Sequence, residues 1–243
     1  VEDAEVIETE LMLADLESVE KRRQGLVRKL KGNDKEAAQQ DRLLAAAQAM
    51  LEEGKPARMA EIDEDDQKAW RMLQLLTAKP VLYVANVDED SAAGGNAYSE
   101  KVLERAKEEG AEAVIISAQI ESELALLDGE EREEYLGAIG LEEPGLNRLI
   151  QSGYALLGLK TYFTVGPKEA RAWTFHKGWT APQCAGVIHG DFERGFIKAE
   201  TTAYDDYVAL GGEQAAKEAG KVRQEGKDYI VKDGDIMLFK FNV

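Results

Sequence analysis

The stretch PVLYVANVDED, residues 80–90, combines the signal of a β-strand with a polar end. Residues 81–85 are aliphatic or aromatic, which is typical of a buried strand. Asn86 follows directly, and Glu89 comes three residues later. An Asn amide can hydrogen-bond the N7 edge of a purine, and a carboxylate can accept two hydrogens from guanine. This strand end is therefore a candidate reader of nucleotide bases.

A second strand is predicted at AVIISA, residues 113–118, after a helix over about 98–110. Strand, helix and strand within so short a stretch predict a parallel βαβ unit. Ser117, Ala118 and Gln119 close the second strand, and small residues there let backbone amides approach a base from the other side. Because ligands of doubly wound sheets bind at the strand ends, the two motifs are expected to meet at one site.

The first motif differs at two positions from Asn-Lys-x-Asp, the guanine reader of GTPases. Val87 stands where those proteins have Lys, and Glu89 stands where they have Asp. The extra methylene of Glu89 displaces its carboxylate, so a bidentate bond to guanine should fit poorly, and a mispaired buried polar group costs about 1–3 kcal/mol. We therefore expect adenine, read by backbone groups near Val87. The alternative is an ordinary acidic loop after a strand.

Two long helices are predicted at the front of the chain. Residues 3–30 and residues from about 35 to 53 carry apolar side chains at helical spacing. Gly32-Asn33-Asp34 between them is a turn signal. Together these features predict an antiparallel helical hairpin over residues 1–56.

The remainder of the chain divides into two further parts. Residues 57–159 have an α/β pattern, with a further helix near 64–77, and contain both candidate motifs. The pattern changes after Lys160, where TYFTV, RAWTFHK, GFIKAET and DIMLFKF are short β-rich runs. Residues 160–243 are therefore expected to form a separate small α+β domain.

Charge is distributed unevenly along the chain. Its formal net charge is −17, which on its face argues against nucleic-acid partners, and no DNA contact is expected. Residues 21–35, at the tip of the predicted hairpin, are the exception, with seven basic residues and one Asp. They could contact RNA phosphates or form a solvated helix tip, and the sequence leaves both interpretations open. The basic residues are Lys21, Arg22, Arg23, Arg28, Lys29, Lys31 and Lys35.

Other features bear on the compartment and the chemistry. No run of residues is long enough to span a membrane, no secretory signal pattern is present, and the single cysteine, Cys184, excludes an internal disulfide. A cytoplasmic location without membrane contact is therefore expected. His176 and His189 do not form a metal site with Cys184 at a recognisable spacing, and His176 is expected to be a strand residue. No metal site is predicted in this chain.

Several stretches resemble the YchF/Obg-like ATPase subfamily of P-loop NTPases, and the resemblance covers essentially the whole chain. They are VEDAEVIETELMLADLE, PVLYVANVDED, LEEPGLNRLI, TYFTVGPKEARAWTFHKGWTAPQCAGVIHGDFERGFIKAE and GKDYIVKDGDIMLFKFNV. The resemblance implies a P-loop NTPase-like α/β fold with a partial parallel sheet, an inserted antiparallel coiled coil, and a C-terminal TGS domain of the α+β, β-grasp type. The last two stretches carry the TGS assignment.

The resemblance also implies roles for the two motifs. ATP is expected in preference to GTP, with the Asn86 side chain and the Val87 backbone at adenine, and with Glu89 closing the Asn-x-x-Glu motif. The second base-contacting loop is expected to contain Ser117, Ala118 and Gln119. Because the family is associated with translation, a ribosome or RNA partner for the basic hairpin tip is also implied.

The chain departs from this family in one respect. The phosphate loop G-x-x-x-x-G-K-[ST], whose backbone and Lys hold the phosphates and whose Ser or Thr binds Mg²⁺, is absent from the 243 residues. The chain starts at Val1, where the family's coiled coil begins, so about the first half of the nucleotide-binding domain is expected to be missing, with the catalytic residues and the Mg²⁺ ligands. We expect that this chain alone cannot hydrolyse ATP, whereas the intact protein does. The alternative is a non-enzymatic adaptor that binds RNA, the ribosome or a protein through the hairpin and the TGS domain.

Overall fold

The structure is a computed structural model that describes residues 2–242. The chain divides into two compact units, Val1–Leu149 and Ile150–Val243. The first unit contains both the helical hairpin and the α/β segment, so the predicted boundaries at 1–56, 57–159 and 160–243 stay a prediction. Within the described residues, none of the helices is long and apolar enough to cross a membrane.

The first unit is mostly helical and contains a two-stranded sheet. Its elements are, in chain order, α1 (Glu2–Lys31), α2 (Lys35–Glu52), α3 (Gln67–Met72), β1 (Leu82–Asn86), α4 (Ala97–Glu109), β2 (Glu112–Ile116), α5 (Ala118–Leu124), α6 (Gly129–Ala138) and α7 (Gly145–Leu156). Short 3-10 turns lie at Ala57–Met59, Glu64–Asp66 and Glu89–Ser91. Helix α7 continues past the division between the units.

Helices α1 and α2 form the predicted hairpin. Asn33 in the turn has a φ of 58°, a left-handed conformation that Asn tolerates better than most residues. Asp34 caps α2, because its side chain accepts hydrogen bonds from the amides of Glu36 and Ala37. Apolar residues from both helices are buried together, among them Val19 and Leu44. The coiled-coil assignment goes beyond these contacts and stays a prediction.

The helix predicted near 64–77 is wrong beyond Met72. The observed segment is a 3-10 turn over Glu64–Asp66 followed by α3, which ends at Met72. The amides of Leu76 and Thr77, and the Thr77 hydroxyl, instead donate to the carboxylate of Asp15 at 2.7–2.9 Å. Asp15 is only 3% exposed, so these bonds satisfy a buried charge that a helix over 73–77 would leave unpaired.

The predicted βαβ unit is confirmed. Strands β1 and β2 are parallel and in register from Leu82 opposite Glu112 to Asn86 opposite Ile116. The prediction that β1 is buried is wrong in part, because Val84 is 47% exposed while Ala85 is buried. Among the described residues no further strand joins this sheet, so the edge of β1 that faces away from β2 has no strand partner.

A cluster of ion pairs connects the hairpin to the α/β segment. Glu8 of α1 accepts from Arg58 at 2.5 Å and from Arg105 of α4 at 2.9 Å. Arg105 also donates to Glu109 at 2.8 Å, and Glu109 accepts from the Tyr83 hydroxyl of β1 at 2.7 Å. Burial, and then the bond to Glu109, raise the pKa of Tyr83. The hairpin, α4 and β1 are therefore held by one network.

The second unit is built on a five-stranded mixed sheet in the order β4-β3-β7-β5-β6. Its elements are β3 (Leu159–Val165), β4 (Ala170–His176), α8 (Ala181–Ile188), α9 (Gly190–Arg194), β5 (Phe196–Ala203), α10 (Tyr204–Leu210), α11 (Glu213–Glu218), β6 (Arg223–Glu225) and β7 (Asp235–Phe241). Strand β7 pairs in parallel with β3 and antiparallel with β5. The order is compatible with a β-grasp, while the TGS assignment stays a prediction.

Aromatic residues form the core of the second unit. The rings of Phe175 and Phe239 lie 5.7–5.8 Å from that of Tyr162, which is fully buried. The Tyr162 hydroxyl donates to the carbonyl of Cys184 at 2.8 Å. Cys184 is a fully buried core residue, and burial raises the pKa of its thiol to about 12, which disfavours the thiolate form. His176 is the last residue of β4, which confirms its predicted place in a strand.

Candidate nucleotide-binding site

The two predicted base-reading motifs lie side by side. Asn86 is the last residue of β1, and Ser117 directly follows β2. Because the two strands are parallel neighbours, their carboxyl ends lie at the same edge of the sheet. The Val87 amide donates to the Ile116 carbonyl at 2.9 Å, which continues the ladder into the first loop.

The Asn86 side chain joins the two motifs. Its Oδ1 atom accepts a hydrogen bond of 2.9 Å from the Ala118 amide. Ala118 is the first residue of α5, where the helix leaves amides without internal partners. Asn86 is therefore already oriented by the protein, and its Nδ2 group is the part of the side chain that could donate to a base.

The two acidic residues that follow have different roles. The Asp88 side chain accepts from the Ser91 amide at 3.0 Å and caps the 3-10 turn over Glu89–Ser91. Glu89 is exposed. Asp88 is therefore engaged in local structure, whereas the Glu89 carboxylate is accessible to a ligand. Sequence reasoning missed the role of Asp88, although Asp followed three residues later by Ser is a capping pattern.

The second motif contains one unusual group. Ser117 is 3% exposed, and its hydroxyl has no hydrogen-bond partner among residues 2–242. A buried hydroxyl without a partner is uncommon in proteins. At the end of β2, such a group can be satisfied by a bound ligand or water. The Ala118 amide, expected to face the base, is instead engaged by Asn86.

A pair of side chains from α5 and α6 is connected to the second motif. Glu123 accepts from Gln119 Nε2 at 3.0 Å and from the Tyr135 hydroxyl at 2.5 Å. These hydrogen bonds, that of Tyr135 first, lower the pKa of Glu123. The bond to Glu123, and to a smaller extent the charge of Glu89, raise the pKa of Tyr135. Gln119 of the second motif is therefore bonded to the Glu123–Tyr135 pair, and the charge of Glu89 of the first motif acts on Tyr135. This pair was not predicted from the sequence.

The start of α7 is packed tightly against the site. Glu121 of α5 accepts from the Gly145 amide at 2.7 Å. A Cβ atom at Gly145 would lie 3.0 Å from Glu121 Oε1 and 3.1 Å from Ile116 Cγ1. A methyl group at Gly145 would therefore crowd side chains of β2 and α5, whereas the backbone angles of this residue do not call for glycine.

The two histidines and the acidic residues of the described part of the chain form no metal centre. Among residues 2–242, no group of three or more His, Cys, Asp or Glu side chains is placed to hold a metal ion. His189 accepts from the Asp191 amide and caps α9, and the His176 ring packs against Trp179.

The basic residues of the hairpin tip fall into two groups. Arg22 donates to the Leu73 carbonyl at 2.7 Å, and Arg23 pairs with Asp41 at 2.9 Å and with Gln48 at 2.7 Å. These two arginines are engaged within the protein. The exposed residues are Lys21, Arg28, Lys29, Lys31 and Lys35.

Known proteins resemble this chain over its whole length. A family model described as YchF-GTPase_C, protein of unknown function (DUF933), matches residues 159–242. The chain is 52% identical over 245 residues to the ribosome-binding ATPase YchF of Bacillus subtilis (strain 168), covering all of this chain and 67% of that protein. It is 50% identical over 242 residues to the protein of the same name from Escherichia coli O157:H7, covering all of this chain and 66% of that protein.

Two solved structures are similar to this chain. A GTP binding protein from Pyrococcus horikoshii OT3 has a TM-score of 0.62 at 19% identity, covering 100% of this chain and 72% of that one, and it shares the fold alone. The Schizosaccharomyces pombe YchF GTPase has a TM-score of 0.83 at 33% identity, covering 98% of this chain and 65% of that one. The chain thus shares its fold with one protein named a GTPase and one named a GTP binding protein. The chain belongs to the YchF family, and it spans about two thirds of the length of these relatives.

Replacement of Gly145 tests the packing between α7 and the site. We expect Gly145→Ala to lower the free energy of unfolding by about 1–3 kcal/mol, because the added methyl group overpacks Ile116 and Glu121. Gly153→Ala in the same helix is the matched control, since a Cβ there meets no atom within 4 Å, and it should raise stability by about 0.5–1 kcal/mol. Urea unfolding of both variants measures the difference. Equal effects at the two positions would contradict the tight contact.

Proposed function

We propose that this chain is the larger part of a nucleotide-dependent switch protein that associates with the ribosome and hydrolyses ATP in preference to GTP. The proposal is carried by the 2.9 Å bond from the Ala118 amide to Asn86, which joins two base-reading motifs at one sheet edge. Relatives of about 50% identity are named ribosome-binding ATPases. The Schizosaccharomyces pombe relative is named a GTPase, so base preference is the point to decide by experiment.

The adenine preference follows from the groups left free around Val87. Its amide is engaged by Ile116, so its carbonyl is the backbone group that remains for a base. A carbonyl accepts a hydrogen from the exocyclic amine of adenine and repels the O6 acceptor of guanine. Asn86 Nδ2 donates to N7, which both purines share. Glu89, one methylene longer than Asp, does not reproduce the two-bond contact with guanine.

Substitutions at Val87 and Glu89 test the proposed preference for ATP over GTP. In the natural full-length protein, ATP should compete better than GTP for one site. Val87→Lys combined with Glu89→Asp should move the preference toward GTP by about tenfold or more, since each lost or gained polar contact is worth about 1–3 kcal/mol. Competition titration of a fluorescent nucleotide measures both affinities in each variant.

Glu89→Asp alone and Val87→Lys alone are the matched single changes for that titration. Preference for GTP in the unchanged protein would contradict the adenine assignment. Binding of neither nucleotide would favour the adaptor alternative, in which the exposed basic residues of the hairpin tip and the second unit bind RNA or protein without chemistry.

Hydrolysis is proposed to need a phosphate loop and Mg²⁺ ligands outside the described residues. Phosphoryl transfer depends on positioning the phosphates and neutralising their charge, and this chain carries no G-x-x-x-x-G-K-[ST] run. The role of the chain's own residues is therefore to bind and orient the base. No catalytic residue is assigned within it.

The 243-residue chain alone is expected to release no phosphate from ATP above background. The natural full-length protein, assayed at the same concentration with Mg²⁺, is the comparison and should turn over. A phosphate-release assay measures both. Turnover by the purified chain, retained through a second purification step, would refute the assignment of catalysis to other residues.

The exposed tip of the hairpin is proposed to contact ribosomal RNA. Replacing Arg28, Lys29 and Lys31 by Gln should weaken ribosome binding of the full-length protein, because each phosphate contact releases counterions. The slope of log affinity against log salt should fall by about 2–3, since each contact contributes roughly 0.7–0.9. Pelleting with ribosomes over a range of salt concentrations measures the slope.

The control for the tip removes the same charge elsewhere in the first unit. Lys68, Lys101 and Lys107 are exposed, and their triple replacement by Gln should leave the slope unchanged. An equal loss for both triple variants would mean that net charge, and not the tip, sets the affinity.

A further inference from the structure

The sheet of the second unit has two edges of different character. One edge is β6, which is only three residues long and whose Arg223 and Glu225 form an ion pair with each other at 2.9 Å. The other edge is β4, which is seven residues long and pairs with β3 in unbroken register over its whole length. A short charged strand is a protected edge, whereas a long regular one is open to a further strand.

The hydrogen bonds of β4 define which groups face outward. The Gly166 amide donates to the Glu169 carbonyl, and the Lys177 amide donates to the Gly158 carbonyl, both across the β3–β4 pair. Because bonded pairs alternate along antiparallel strands, the odd-numbered residues of β4 face β3. The even-numbered residues therefore direct their amides and carbonyls away from the sheet. They are Ala170, Ala172, Thr174 and His176, of which the His176 carbonyl is taken by the Trp179 amide.

Strand β4 lacks two of the features that usually protect an edge. It contains no proline and no bulge, and its outward residues Ala170, Ala172 and Thr174 are small and exposed. Small side chains leave room beside the strand for larger side chains of a partner. Tyr154 lies next to this surface, with its hydroxyl 3.3 Å from the Thr174 hydroxyl.

The residues around β4 carry a net positive charge, whereas the chain as a whole is negatively charged. Lys168, Arg171 and Lys177 are exposed on or beside the strand, and Glu169 is the one acidic residue over 168–177. The whole chain carries a formal net charge of −17. A partner that approaches this edge therefore meets local positive charge, which favours an acidic segment.

We propose that the β4 edge binds an extended acidic peptide segment of another protein, which adds to the sheet as a further strand. Main-chain bonds to Ala170, Ala172 and Thr174 supply affinity, and carboxylates opposite Lys168 and Lys177 supply selectivity. This surface is separate from the base-reading motifs of β1 and β2. The proposal stands whether or not the nucleotide assignment holds.

Amide exchange in the free chain is the first test. Exchange followed by NMR should be fast at Ala170, Ala172 and Thr174 and slow at Arg171, Trp173 and Phe175, since only the second set is bonded to β3. Uniformly slow exchange along β4 would mean that the edge is already covered, and it would overturn the proposal.

The second test adds a capped peptide of alternating glutamate and valine, as long as β4. Chemical shifts should change along 170–176, and the outward amides should become protected. Ala172→Pro removes one outward amide without touching a bond to β3, so it should weaken binding by about tenfold or more. Ala172→Val keeps that amide and should bind as the unchanged chain does.

Other outcomes would contradict the proposal. A peptide with lysine in place of glutamate should bind at least about tenfold more weakly at low salt, and equal binding would remove the acidic specificity. Absence of shifts along β4 with the acidic peptide, or shifts that survive Ala172→Pro, would overturn the strand-addition mode. If a single-stranded RNA shifts the lysines while the outward amides stay unprotected, the surface binds nucleic acid instead. If the free chain dimerises and Ala172→Pro reverses this, the partner is a second copy.

Discussion

The hydrogen bond from the Ala118 amide to Asn86 Oδ1 joins the ends of β1 and β2 into one surface. Parallel pairing places Asn86 opposite Ile116, so the second loop begins beside the end of the first strand. Asn suits this position because its amide oxygen can hold the loop while its nitrogen stays available to donate. In the proposed base-reading site, Val87 and Glu89 follow the first strand and Ser117 follows the second, at the two strand ends that this bond joins.

Side chains that are distant in sequence also attach the helical hairpin to the rest of the first unit. Asp15 accepts the amides of Leu76 and Thr77, and Glu8 pairs with Arg58 and Arg105. Removing one partner from a poorly exposed charge network leaves the other charge uncompensated, which costs more than the pair itself contributes. The hairpin is thus attached to α4 and to the segment after α3 by separate sets of bonds. A shift of the hairpin would have to break them.

Local patterns predicted much of this fold, and long-range contacts account for what they missed. The hairpin and the βαβ unit follow from spacing and turn signals within a few residues. The helix predicted to continue to residue 77 ends earlier, because the amides of Leu76 and Thr77 donate to Asp15, which is distant in sequence. The Gln119–Glu123–Tyr135 contacts could not be predicted from local spacing, because Tyr135 lies on a different helix from the other two residues. Strand β6 could not be predicted because three residues are too few to show an alternating pattern. The YchF family was indicated by the similarity of whole stretches of sequence, since the spacing of apolar residues is shared by many unrelated folds.

Amide exchange at Ala118 tests the central joint most directly. In the unchanged chain this amide should exchange slowly, because Asn86 accepts its hydrogen. In Asn86→Ala it should exchange much faster, while the amides of Ala85 and Val114, which face the partner strand within the parallel pair, keep their protection. Equal exchange at Ala118 with and without the Asn86 side chain would contradict the joint, and with it the base-reading site.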